Sequence, residues 1–318
     1  MELGVSYVSA HNPDHIDTDM RRLADIGCTE VLFALQENHI VHLNGALRYG
    51  AEIAKSHGLR PYVVVWGFAN TFGGGQMSTI MLGDTSLWRV NAEGEKYAKG
   101  CLNNPRLVDK FVEITDTCRA HGFLGMFVDE PSPQQCYCDI CRNLYAKHFG
   151  GDLLVSRGTP NYKAFQISAV KGYTGLLCKK VKALDSNQRT ICCVMPIDMD
   201  CFEAVAAIPE LDVFGTDPYW LLPGHKMNID WAVDCARLTK DICDSNGKIS
   251  QVWLNCWSIL SGREEEIYTG GKALAEVGCD SMYTWSFRGA LGTSEECERP
   301  DLAWASVEKL YGELSGRG

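Results

Sequence analysis

Cys136, Cys138 and Cys141 place three thiols within six residues, and six residues before the first of them stands Glu130, the second half of an acidic pair with Asp129. Two chemistries follow from these residue types. A Cys-x-Cys-x-x-Cys run offers three soft ligands to one metal ion, and the tetrahedral site that zinc prefers needs a fourth. The nearest thiol upstream is Cys101, in the run Gly100-Cys101-Leu102-Asn103-Asn104-Pro105. A closed site of four thiolates keeps no open position, so such a zinc is structural and braces the segment that carries Glu130. The competing reading is that these are reduced thiols in a chain that uses cysteine freely, with 15 in all. The acids suggest proton transfer. An apolar strand ending in Asp129-Glu130-Pro131 is how a barrel strand delivers a carboxylate to its carboxyl-terminal mouth. If the strand stays extended, only one of the two neighbouring acids faces that mouth squarely.

The elements that would position these groups alternate along the whole chain. Strand-like runs are expected at Gly4–Ala10, Glu30–Leu35, Pro61–Val65, Phe123–Val128, Thr190–Met195, Leu211–Gly215, Ser250–Leu254 and Ser281–Thr284. Helical stretches separate them, among them Pro105–His121, Tyr162–Leu184 and a closing Asp301–Leu314. Eight such pairs are the grammar of an α/β fold, a single (β/α)8 TIM barrel with a four-cysteine zinc loop after strand 4, and residues 1–318 read as one domain. The connection from Phe68 to Asn104 is long and carries Gly73-Gly74-Gly75. Its length and its place after strand three suggest a lid over the mouth. The glycines are not a phosphate loop, since no Lys-Ser/Thr follows them.

In a barrel every strand exit reaches the same face, and these exits collect rings and carboxylates. Trp66 and Phe68 follow strand three, Asp217, Tyr219 and Trp220 follow strand six, Asn255 and Trp257 end strand seven, and Trp285, Phe287 and Arg288 leave strand eight. Aromatic faces stack on the C–H faces of sugars, and carboxylates, amides and guanidinium groups bind hydroxyls. For any one ring, core packing is the simpler explanation. Glycoside hydrolysis generally takes two carboxyl groups flanking the bond. Glu130 is the first choice for the acid and Asp217 for its partner, with Asp129 beside them. Asp-Pro-Tyr at Asp217 is also an ordinary turn opening. Glu37, Asp198 and Asp200 are further acids at strand exits, and Arg288 is placed to clamp a hydroxyl or carboxylate, or to neutralise the acids.

Taken together, a cysteine followed by Asn and Pro, an acidic pair at a strand end, and Cys-x-Cys-x-x-Cys leading into a helix with Phe149 resemble the zinc-bearing β-galactosidases of glycoside hydrolase family 42. Related uncharacterised barrel proteins share the pattern, which covers about residues 95–150. The resemblance implies that Cys101, Cys136, Cys138 and Cys141 bind zinc and that Glu130 is the general acid/base. It also implies a glutamate nucleophile at the end of strand seven. Here that strand reads Gln251-Val252-Trp253-Leu254-Asn255 and has no acid. Other barrel hydrolases, the α-galactosidase-like ones among them, pair acids on strands four and six, which returns the choice to Asp217.

Composition narrows the classes. A hydrophobic share of 46% with 22% charged residues fits a globular protein, and a net charge of -10 without a basic stripe argues against nucleic acid as a partner. Met1 leads into Gly4-Val5-Ser6-Tyr7-Val8 without a charged leader or long apolar segment, which suggests a cytoplasmic protein with no membrane partner. The odd cysteine count suits a reducing compartment. No His-Glu-x-x-His and no Gly-x-Ser-x-Gly occurs, which disfavours zincins and serine hydrolases. The reading is a glycoside hydrolase acting on small glycosides, with a small-molecule carbohydrate as its substrate; assembly as a homo-oligomer is compatible with the composition. The alternatives are a barrel that binds sugar without cleaving it, and a carbohydrate lyase or isomerase.

Overall fold

The computed structural model describes residues 1–8, 12–71 and 77–317 and, at Asn44, the backbone alone. Ala10 and the run Gly73–Gly75 lie outside the described residues. Eight parallel strands close into a barrel: β1 (Glu2–Val8), β2 (Glu30–Leu35), β3 (Arg60–Val65), β4 (Gly125–Asp129), β5 (Arg189–Cys193), β6 (Val213–Thr216), β7 (Ile249–Asn255) and β8 (Ser281–Trp285). Each pairs with its neighbours in chain order, and β1 pairs with β8 to complete the ring, Gly4 opposite Tyr283. Glycine is required there, because a Cβ on Gly4 would stand 2.1 Å from the Tyr283 ring.

The helices are α1 (Pro13–Asp25), α2 (Glu37–His42), α3 (Asn44–Ser56), α4 (Thr79–Gly83), α5 (Pro105–Ala120), α6 (Asp139–Phe149), α7 (Pro160–Leu184), α8 (Phe202–Ala206), α9 (Ile229–Asn246), α10 (Glu265–Glu276) and α11 (Pro300–Ser315). Several start on a side-chain cap followed by proline: Asn12 accepts from Asp14 N, Asn104 from Arg106 N and Thr159 from Tyr162 N. Each cap satisfies an amide that the first turn leaves open, and proline costs little there because its missing N–H was unpaired anyway. No helix among the described residues is long and apolar enough to cross a membrane.

Alternation along the strands sorts the side chains into two cores. Leu3, Val5, Val31, Phe33, Val63, Val65, Met126 and Val128 point outward and pack under the helices. Leu32, Tyr62, Val64, Phe127, Ile191, Val213, Trp253 and Tyr283 fill the barrel itself. At its amino-terminal end the barrel is plugged by charge. Glu30, 1% exposed, accepts hydrogen bonds from Arg60 and Arg189, both at 2.6 Å, and from the Tyr283 hydroxyl at 2.6 Å. Glu2 bridges the same two arginines at 2.7 and 2.6 Å. Two acids facing two guanidinium groups leave no net charge, which is the condition for keeping ions out of water.

The long connection after β3 carries secondary structure of its own in its described part. Its described part contains α4 and an antiparallel hairpin, Trp88–Val90 with Lys96–Gly100. The hairpin leans on the cysteine loop: Tyr137 N donates to Val90 O at 2.8 Å, and Tyr97 Oη donates to Gln135 O at 2.8 Å.

Candidate active site

The four cysteines converge. Cys101 comes from the hairpin exit, Cys136 and Cys138 from the loop after β4, and Cys141 from the first turn of α6. Their Sγ atoms all lie within 4.8 Å of one another, with Cys101 3.8 Å from Cys138 and 3.5 Å from Cys141. Zinc bonds of about 2.3 Å to sulfur set tetrahedral S–S separations of about 3.8 Å, so the spacing fits that ion. The surroundings fit as well. Asn103 Nδ2 donates to Cys141 Sγ at 3.3 Å and Gln134 Nε2 to Cys101 Sγ at 3.7 Å, the kind of donors that support thiolate charge. Gln134 also accepts from Leu102 N at 2.9 Å, joining the two chain segments. A small core of Tyr137, Tyr145, Leu153, Tyr162 and Phe165 packs around the cluster.

Asp129, the last residue of β4, sits on the inward face in register with Phe127, and Glu130 follows it with φ 46°. That left-handed turn breaks the alternation that would have sent Glu130 away from Asp129, so both acids reach the mouth. Such a conformation is costly for a residue with a Cβ, and conformations of this kind gather at functional sites. Glu130 N is held by Cys193 O at 3.0 Å. Asp217, inward by alternation from Val213 and Gly215, completes the group: its carboxyl lies close to that of Glu130 and to the Cys193 thiol. Asp129 is 9% and Asp217 6% exposed, and Glu130 keeps more contact with solvent. Burial pushes both aspartates far above the ordinary carboxylate range, and the charge of Glu130 pushes each further. Asp217 Oδ1 has no partner. Tyr219 stands close by, its hydroxyl held protonated by burial and by the charge of Asp217.

Rings gather at the same strand exits. Trp66 lies 5.4 Å from Trp285, and Tyr219 meets Trp257 edge to face at 5.7 Å. All four are partly exposed. Trp257 Nε1 and Arg288 Nε are buried without partners, which is unusual for polar atoms and marks groups left to meet something other than protein.

Not every expected residue reaches the mouth. Glu37 is saturated: its carboxylate accepts from Ala69 N, Ser78 Oγ, Thr79 Oγ1 and Ile80 N at 2.8 to 3.0 Å, so it pins the long connection and has no capacity left for a sugar hydroxyl. Asn255 is wholly buried, its Oδ1 accepting from Leu221 N at 3.0 Å and its Nδ2 donating to Trp257 O at 3.3 Å. It shapes the loop after β6. Trp220 is 3% exposed and packs on α10, where a Cβ on Gly270 would stand 2.3 Å from its ring; alternation from Tyr219 turns it outward. Phe68 meets Phe111 at 4.8 Å and Phe287 meets Trp304 at 4.9 Å, both on the helix side. Asp198 accepts from Ser132 Oγ at 2.6 Å and lines a separate groove.

No family model matches the chain, and no curated protein does. Solved structures do. A polyextremophilic β-galactosidase from the Antarctic haloarchaeon Halorubrum lacusprofundi superposes with a TM-score of 0.76 at 15% identity, over 99% of this chain and 58% of its own. A β-galactosidase from Bacillus circulans sp. alkalophilus gives 0.74 at 13%, over 100% and 56%. An endo-1,4-β-mannanase from Rhizomucor miehei gives 0.64 at 11%, over 100% and 95%. The fold is the one these glycoside hydrolase barrels share. The chain spans about 58% of the length of the first of these β-galactosidases.

Two residues that sequence reasoning passed over belong to the site. Cys193 is inward by alternation from Ile191 and lies close to Asp217, and Ser132 ties the Glu130 loop to Asp198. The period of β5 would have found the first. Nothing local marks the second.

Proposed function

We propose that the chain is a glycoside hydrolase whose working carboxyls are Glu130 and Asp217. The observation that supports this reading is the closeness of the two carboxyls beside the strand-exit rings, where burial pushes Asp217 to hold a proton. Two close carboxyls cannot both ionise cheaply, and burial with the neighbouring charge favours the protonated form of Asp217. A glycoside enters between them. Glu130, the more exposed, relays the proton held on Asp217 to the glycosidic oxygen. Asp217 is left anionic beneath the positive charge that develops at the anomeric carbon, and acts as nucleophile or as base toward water. Trp66, Trp257 and Trp285 stack on the sugar, Tyr219 donates to Asp217 or to a hydroxyl, and Arg288 binds a hydroxyl or carboxylate. The four cysteines hold a structural zinc that stiffens the loop carrying Glu130 and takes no part in proton transfer.

The same closeness supports a second reading. Glycosidase carboxyls stand about 5–5.5 Å apart for retention and about 6.5–9.5 Å for inversion. A dyad that stays closed and passes one proton suits a carbohydrate lyase or isomerase, and the exit of β7, with Asn255 engaged by backbone, offers no replacement nucleophile. Hydrolysis of α- and β-nitrophenyl glycosides separates the two. Release of nitrophenol by the wild type, lost in Asp217→Asn, supports the hydrolase. Absence of release across the panel, with sugar isomerisation or elimination detected by NMR, supports the alternative.

A further inference from the structure

Cys193 stands between the strand ends that carry the three mouth carboxyls. It closes β5 on the inward face and is 2% exposed. In the sheet it is the register partner of Asp129 on β4 and of Gly215 on β6. Asp217 lies two residues beyond Gly215, and so one layer higher on the same inward face. The Cys193 carbonyl accepts from Glu130 N at 3.0 Å, and the next amide, Val194 N, donates to Gly215 O at 3.0 Å. One short stretch of backbone thus fixes both the strand end that carries Glu130 and the strand that leads to Asp217. The side chain enters the same space, its thiol close to the Asp217 carboxyl.

A thiol in this place is a proton donor and not a nucleophile. Burial, and then the negative charges of Asp217, Glu130 and Asp129, hold it as S–H. We propose that Cys193 is a positioning residue for the proton transfer, its S–H donating to the carboxylate that Asp217 becomes once its proton has left. The inference rests on the reading of Glu130 and Asp217 as the working pair. No bond to sulfur forms, and the thiol keeps its own proton; the proton that moves is the one Asp217 held. The other titratable groups near Asp217 are Glu130 and Asp129 from β4, Tyr219 from its own strand exit and Cys235 from α9, with Cys192 on the outward side of β5. The two acids oppose ionisation of Asp217, whereas the Cys193 thiol favours it. S–H is a weak donor, but an anion in buried surroundings gains more from it than one in water.

The test is the pH dependence of kcat/KM for wild type, Cys193→Ala and Cys193→Ser on a nitrophenyl glycoside that wild type cleaves. Activity needs the proton on Asp217, so it falls as pH rises through the raised value of that carboxyl. Cys193→Ala removes the donor that favours the anion, so its basic limb should move up by about half to one pH unit and its kcat should fall about tenfold. Cys193→Ser keeps a donor, and is expected within about twofold of wild type in kcat with its limb no higher. Cys193→Val, which removes the donor and fills the space, replaces the alanine variant if that one does not fold. Equal losses in all variants with the limb unmoved, the result of lost packing alone, would overturn the proposal and leave the hydrolase intact. If wild type cleaves no glycoside, the hydrolase reading fails, and a carbon NMR titration of labelled aspartate carboxyls decides instead, with Asp217 assigned by the signal lost in Asp217→Asn. A higher Asp217 pKa in Cys193→Ala than in wild type, restored in Cys193→Ser, supports the positioning role; identical titrations overturn it.

Discussion

Of the three carboxyls at the mouth, Glu130 is the one that keeps contact with solvent, and it does so on a left-handed backbone turn, while Asp129 and Asp217 are sealed beneath it. Their environments assign them different work. Glu130→Gln is expected to cost about 10²- to 10⁴-fold in rate on substrates with poor leaving groups and much less on activated aryl glycosides, which need little protonation. Asp217→Asn is expected to abolish both. Steady-state kinetics on a matched pair of leaving groups checks this; an Asp217→Asn enzyme with full activity would move the second role to Asp129. The inward positions of Asp129, Cys193 and Asp217 were legible in the alternation of β4, β5 and β6, and so was the outward turn of Trp220 that naive counting of strand-exit rings overlooks. The joint presence of Asp129 and Glu130 was not legible, because it depends on one backbone angle that no residue type demands.

Elements carry these residues on two anchors. The first is the cysteine cluster, readable from spacing alone because thiols three and five residues apart have few other reasons to converge. Cys138→Ser is expected to lower stability by about 3 kcal/mol or more while leaving substrate preference unchanged, with zinc falling from one per chain to well below it by elemental analysis. A metal-free wild type with four titratable thiols would end this account. The second anchor is Glu37, which holds the connection after β3 through residues 32 to 43 positions away. Partners so distant in sequence leave no local signature, which is why an acid at a strand exit looked like a substrate contact. Glu37→Gln is expected to destabilise by about 2–3 kcal/mol and to speed proteolytic cleavage within residues 66–104. Unchanged cleavage would show that other contacts hold the segment.

At the scale of the whole molecule, the buried acids set a trade between stability and chemistry. Burial raises the native pKa of Asp129 and Asp217 above the unfolded value. The native state therefore binds more protons than the unfolded chain, and stability falls as pH rises from about 4 through the raised native values. Asp217→Asn removes one such group, so its Tm should exceed that of wild type by about 2–5 °C at pH 8 and by less near pH 4, read by calorimetry across pH. A variant less stable than wild type at pH 8 would contradict this. The eight-strand ring was predictable from the alternation of runs, but the charged plug at its base was not, since Glu2, Glu30, Arg60 and Arg189 meet only after closure. That closure has a temporal consequence. β1 pairs with β2 on one edge, but its other edge finds its partner only in β8, and the hydrogen bond from Tyr283 to Glu30 spans 253 positions. During synthesis on the ribosome β1 leaves the exit tunnel long before β8 exists, and its unpaired edge waits through most of translation. Conditions that slow elongation through the last strands should therefore trap open half-barrels, the species from which this chain would aggregate.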